Sequence, residues 1–210
     1  MSAAFLHQLR REEHVVLEQA EAMITLCSEQ GFAYNLAMGP LLRGWALTEQ
    51  GQGEEGIAQM CQGRDALRAM GAKIGQSADF ARLADVYGKV GRAEDGLKLL
   101  AEALAGVQET GERFWQAELY RLKGELLMKT ETRGREAEAE NCFQQAIAIA
   151  CSQAAKSWQL RATTSLARLW QRQDKQKEAH KLLSEIYGWF TEGFDTKDLR
   201  EAKALLEELA

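Results

Sequence analysis

Apolar positions in this chain fall at three- and four-residue spacings almost from end to end, and the arrangement returns about every 40 residues. "LLRGWALTEQGQGEEGIAQM" (41–60) aligns with "RLADVYGKVGRAEDGLKLL" (82–100), then with "RLKGELLMKT" followed by "EAENCFQQAIAIA", then with "SLARLWQRQDKQKEAHKLL". One column holds Gly44, Ala84, Gly124 and Ala167, separated by 40, 40 and 43 residues, with Leu47, Tyr87, Leu127 and Trp170 three later. A second holds Gly56, Gly96, Ala139 and Ala179, followed at i+4 by Met60, Leu100, Phe143 and Leu183 and at i+7 by Gly63, Ala103, Ala146 and Ile186. Both are single helix faces. Each unit therefore reads as two antiparallel helices brought close by small residues, with an apolar stripe that is buried only when hairpins stack. The extra residues of the long step fall within "KTETRGRE", a lengthened loop. Gly51 and Gly91 stand where first helices must stop, and Asp174 takes that place in the fourth unit.

The pattern predicts one solenoid over residues 1–210, with hairpins at 34–72, 77–110, 115–153 and 158–189. Its ends differ. Residues 12–30 read as the second helix of a half repeat, with Val16, Ala20, Met23 and Cys27 on one stripe, and "MSAAFLHQLRR" is too short to supply a full first helix. Part of that face is then uncovered, which predicts either a homodimer through the N-terminal helix or an upstream domain of a longer protein that normally covers it. At the other end, residues 195–209 read as a capping helix with Asp195 or Thr196 as N-cap and Leu199, Ala202, Leu205, Leu206 and Leu209 on one face. Trp189, Phe190 and Phe194, in "YGWFTEGFDTKDL", are expected to plug the gap where the chain turns back.

Composition narrows the chemistry. The chain has 210 residues, 46% of them hydrophobic and 27% charged, enough to bury a real core. A formal charge of −5 argues against broad nucleic-acid binding, which needs a concentrated basic surface. The start lacks the apolar run of a signal peptide and no stretch approaches ~18 apolar residues, so a cytoplasmic protein without a membrane span is expected. Cys27, Cys61, Cys142 and Cys151 show no C-x-x-C spacing and read as reduced thiols rather than zinc ligands or disulfides. "YGKVGRA" lacks a phosphate loop's first glycine, Leu83 standing there, and has Val90 where Ser or Thr would hold magnesium. His14 and Glu18, with His7 a turn or more back, read as a solvated face rather than a metal site, as does His180 among Lys177, Glu178 and Lys181. No Ser–His–Asp or Cys–His arrangement follows from spacing. The expectation is no catalysis, no cofactor, no metal and no ATP binding.

These columns resemble the tetratricopeptide repeat, although the period is about 40 rather than ~34, the closing proline is missing and Pro40 sits near the start of a first helix. "RGWALTEQGQGEEGIAQ", "TGERFWQAELYRLKGELL", "ATTSLARLW" and "YGWFTEGFDTKDLREAKALLEEL" carry a further resemblance, over roughly residues 14–210, to the C-terminal repeat region of bacterial signalling proteins. Those proteins join a class III adenylate/guanylate cyclase or a regulatory ATPase to such repeats. The resemblance implies an all-α, right-handed helical-hairpin solenoid and a non-catalytic interaction or regulatory segment. The catalytic and nucleotide-binding motifs of the family's upstream domains are absent.

The resemblance also implies that first helices line a concave groove. The residues facing it are then Met38, Leu41, Trp45 and Glu49; Ala81, Asp85 and Lys89; Glu118, Arg121 and Glu125; and Arg161, Arg168 and Arg172. Such a groove runs from apolar to basic, with Trp45 either an anchor or packed against the preceding helix, and with the arginines either suited to a carboxylate-rich segment or a solvated face paired with nearby Glu. Two functions stay open: a scaffold holding a peptide, a partner protein or an upstream cyclase or ATPase domain of a parent protein, and a sensor that recognises a small molecule.

Overall fold

A computed structural model describes residues 2–72, 75–130 and 134–210. Among them are eleven helices: α1 (Ser2–Leu9), α2 (Glu13–Gln30), α3 (Ala33–Glu49), α4 (Gly53–Ala69), α5 (Gln76–Lys89), α6 (Ala93–Thr110), α7 (Gln116–Leu127), α8 (Glu136–Ser152), α9 (Lys156–Arg172), α10 (Gln176–Tyr187) and α11 (Lys197–Leu209). Contacts group the chain into two compact units, Met1–Leu99 and Leu100–Ala210. The boundary falls inside α6. Residues 131–133 of the "KTETRGRE" loop lie outside the described residues, and Gly134 follows with φ 88° just before α8.

In the first unit, the small-residue columns bring backbones into contact. A Cβ on Gly56 would lie 2.5 Å from the Gly44 carbonyl oxygen, and one on Gly63 would lie 2.6 Å from the Ala37 carbonyl oxygen, so α4 lies directly on α3. Thr48 Oγ1 fills the space beside Gly56 and donates to the Gly44 carbonyl at 3.0 Å. Around this crossing Val16, Ala20, Leu41, Leu42, Trp45, Met60, Leu83 and Val86 form one buried cluster. Pro40 lies well inside α3 rather than near a helix start, because α3 already begins at Ala33. The turns after first helices are left-handed, with φ 86° at Gly51, 81° at Gly91 and 60° at Asp174, the last a conformation more costly without glycine.

The half-repeat reading of the N-terminus needs correction. Ser2–Leu9 forms α1, which packs on α2, and its Ala4 joins the buried cluster. Val16 and Ala20 are fully buried and Cys27 is buried, while Met23 packs half-buried against the same cluster. The stripe expected to be bare is covered, and the argument for a dimer through it falls with that.

In the second unit, α7 meets α8 where a Cβ on Gly124 would reach the Phe143 ring at 2.5 Å. Leu160, Ala167, Ala179, Leu183, Ile186, Leu199, Ala202, Leu205 and Leu209 make a cluster shared by α9, α10 and α11. α11 caps these helices, but Thr196 at its N-cap donates its hydroxyl to the Gly193 carbonyl at 2.7 Å and makes no side-chain cap bond. The aromatic plug is likewise one ring, not three. Phe190 packs on the cluster, whereas Trp189 is 57% and Phe194 46% exposed. Leucines of α11 close the core themselves, leaving Trp189 outside under the Lys156 ammonium at 5.6 Å and Phe194 against Tyr187 at 5.9 Å.

Candidate partner-binding face

The first-helix residues of the first unit divide by burial. Trp45 is only 5% exposed and Leu41 and Ala81 are buried, with Ala4 in the same cluster as Trp45 and Leu41. Trp45 is therefore core and not an exposed anchor. Met38 is half-buried against that cluster. Polar character begins a turn later, where Lys89 Nζ donates to Glu49 Oε1 and, at 2.6 Å, to Asp85 Oδ2. Burial alone would lower the Lys89 pKa, but the two carboxylates outweigh it and hold the ammonium above its ordinary value.

A buried polar group that the spacing argument missed lies beside α1. Arg82, 6% exposed, donates from Nε to Gln8 Oε1 at 2.6 Å and from Nη1 to Asp79 Oδ1 at 2.8 Å, with the Phe5 ring centroid 5.2 Å from its guanidinium carbon. Burial holds the guanidinium below its ordinary pKa despite the attraction of Asp79. Among the described residues, Gln8 Nε2 and Ser77 Oγ are buried without a hydrogen-bond partner. The sequence did carry a signal, since Arg82 stands two residues before Ala84, where Leu42 and Leu122 stand before Gly44 and Gly124.

On the other side of α3, a cleft of about 790 Å³ runs between α2 and α4. Ile24, Leu36, Pro40, Ala66 and Met70 line it, and Arg43 meets Glu21 across its rim at 3.6 Å.

In the second unit the arginines are drawn into a network with carboxylates. Arg121 grips Glu118 with two bonds of 2.8 Å and reaches Glu125 at 3.5 Å. Arg161 donates to Asp198 Oδ2 at 2.7 Å and to Glu118 Oε1 at 3.4 Å, and lies 5.0 Å over Trp158, which in turn packs against Trp115. Ser165 Oγ donates to Glu125 at 2.6 Å. The expected row of three available arginines is thus reduced, because carboxylates on α7 and α11 face Arg161. Arg168 and Arg172 are exposed, Arg168 with Glu201 at 3.8 Å, and they border a cleft of about 230 Å³ between α9 and α11 together with Gln171, Glu201 and Glu208.

Among the described residues no group of three or more His, Cys, Asp or Glu is arranged to hold a metal ion, and no helix is long and apolar enough to cross a membrane. Cys27 and Cys142 are buried, and burial pushes the Cys142 thiol above its ordinary pKa.

Residues 76–152 match the family model described as Tetratricopeptide repeat. Comparison with curated proteins finds no match. Two crystal structures of nearly identical TPR-like repeats from a kinesin light chain candidate of Podosopora anserina are similar in fold. One of them, a single-substitution form, has 18% identity and a TM-score of 0.60, over 89% of this chain and 91% of that one. The other has 16% identity and a TM-score of 0.58, over 99% and 93%. At these identities the likeness concerns architecture. The chain has an all-α helical-hairpin solenoid fold of the tetratricopeptide-like kind, with the family match itself confined to residues 76–152.

Proposed function

We propose that the chain is a non-catalytic interaction module whose first-helix face binds a peptide, a partner protein or a domain of a parent protein. The observation that carries this reading is the exposed pair Arg168 and Arg172, one turn apart on α9 beside an open cleft. Two such side chains suit a carboxylate-bearing segment. Within the second unit Glu118, Arg121, Glu125 and Arg161 belong to this face, and the first unit carries its own first-helix positions, Met38, Glu49, Asp85 and Lys89. Upstream cyclase or ATPase domains of a cytoplasmic bacterial signalling protein are the partner class that the sequence resemblance favours. The sensor alternative has weaker support at these two clefts, because each opens to solvent, whereas small-molecule sites bury most of their ligand.

The test is affinity capture and crosslinking from the source cytosol, followed by titration of the identified partner against the unmodified chain and an Arg168→Glu, Arg172→Glu variant. Loss of at least about tenfold in affinity, with a salt dependence that disappears in the variant, is expected. Unchanged affinity would overturn the assignment of this face.

A further inference from the structure

The group formed by Phe5, Gln8, Asp79 and Arg82 is more elaborate than a short helix needs for packing. α1 is eight residues long, too short to be stable without tertiary support. It presents Ala4 to the apolar cluster, Phe5 to the Arg82 guanidinium and Gln8 to Arg82 Nε. The match is imperfect at one atom. Gln8 gives Arg82 an acceptor oxygen, but its Nε2 is buried and, among the described residues, nothing receives its hydrogens. A buried donor without an acceptor is costly, and a carboxylate in the same place would carry no donor at all. It would also bring a second negative charge to a guanidinium that burial already disfavours.

We infer that α1 is a displaceable resident of the first unit's first-helix face, holding the place of a partner protein's amphipathic helix in which a small residue and an aromatic are followed, three residues after the aromatic, by a glutamate. The small residue takes the position of Ala4, the aromatic that of Phe5 over Arg82, and the glutamate that of Gln8 on Arg82 Nε. α1 competes from within the same chain and so at high effective concentration, which means that only a helix with better chemistry at this spot removes it. Glutamate for glutamine is that improvement. This rests on the first-helix face being the partner site and adds which chemistry it selects.

The experiment uses the full chain, a Gln8→Glu variant and a Phe5→Ala, Gln8→Ala variant. Hydrogen exchange of residues 2–9 reports whether α1 is seated. Fluorescence anisotropy follows labelled peptides of residues 2–11 carrying either Gln8→Glu or Gln8→Lys. Gln8→Glu in the chain is expected to slow exchange of α1 about tenfold, the value of one hydrogen bond to a charged group. The glutamate peptide should bind the Phe5→Ala, Gln8→Ala chain at least about tenfold more tightly than the Gln8→Glu chain, and the lysine peptide should not bind. If the double variant does not fold, the Gln8→Glu exchange and the two peptides on the unmodified chain decide alone, with binding by the glutamate peptide only as the required result. Exchange unaffected by Gln8→Glu, or peptides bound without discrimination, overturns the inference. The partner titration with Arg168→Glu, Arg172→Glu does not involve α1, so the broader reading survives or fails by itself.

Discussion

Substituting alanine for Gly56 tests how the helical hairpin is built. In an isolated helix the change is favourable by roughly 1 kcal/mol, since alanine restricts the unfolded chain and glycine does not. Here the added Cβ would stand 2.5 Å from the Gly44 carbonyl oxygen, and the Thr48 hydroxyl is closer still. Thr48 can rotate away only by giving up its 3.0 Å bond to the Gly44 carbonyl, a loss of about 1 kcal/mol. The backbone oxygen cannot rotate, so α3 and α4 must separate, and overpacking of this kind costs typically about 1–3 kcal/mol. Taking about 3 for the strain in a backbone contact, adding about 1 for the hydroxyl and subtracting about 1 for propensity leaves about 3 kcal/mol of destabilisation. For a chain of this size that lowers Tm by roughly 6–12 °C. Gly106 supplies the control, because nothing lies within 4 Å of a Cβ built there in the same type of helix. Gly106→Ala should raise stability by up to about 1 kcal/mol. Guanidinium unfolding of both variants, read by circular dichroism, gives the comparison. If Gly56→Ala is neutral or stabilising like Gly106→Ala, the close crossing of α3 and α4 is wrong.

Three further outcomes are expected. Glu118→Ala leaves Arg121 and Arg161 short of a carboxylate in a largely buried setting and should cost about 3 kcal/mol, measured by denaturant unfolding; a change under about 1 kcal/mol would show the network to be solvated. Asp174→Gly should stabilise by about 1 kcal/mol in the same measurement, since the left-handed turn then carries no side-chain penalty, and Gly51→Ala should do the reverse. The Glu12 carboxylate is held below its ordinary pKa, chiefly by its hydrogen bond with His7 and also by Arg10. A depressed folded-state value means its contribution is present above the unfolded pKa and lost as pH falls through the folded one. α1 amides should therefore lose protection on acidification below the usual carboxylate range, and Glu12→Gln should flatten that dependence in NMR-detected exchange.

Much of the architecture could be read from the chain because a repeating fold states its rule several times. Gly44, Gly56 and Gly63 mark the sites of closest helix approach, and Asp174 stands in a turn that glycine occupies elsewhere, both visible from register alone. α1 was not visible, because eight residues carry barely two turns of pattern and their helicity comes from the surface they rest on. Register leaves Trp45 either an exposed anchor or packed against a neighbouring helix, and its burial is decided by packing that register along one helix does not reveal. The arginine row loses Arg161 for a different reason. Arg161 finds Asp198 across 37 positions and Glu118 across 43, and charge spacing along one helix says nothing about carboxylates arriving from others.

The double grip of Arg161 bears on how the C-terminal end comes apart. A stack held only by contacts between adjacent layers melts from its ends, one element after another, because each loss leaves the next face intact. Arg161 sits on α9 with one acceptor on α7 and another on α11, so departure of α11 removes a carboxylate from a cation that also organises Glu118. Fraying of the last helix is thereby tied to the integrity of α9 and α7. The C-terminal end should open as a block that takes α9 with α11 or stay closed, and exchange in α11 should share a common rate with α9 rather than run ahead of it.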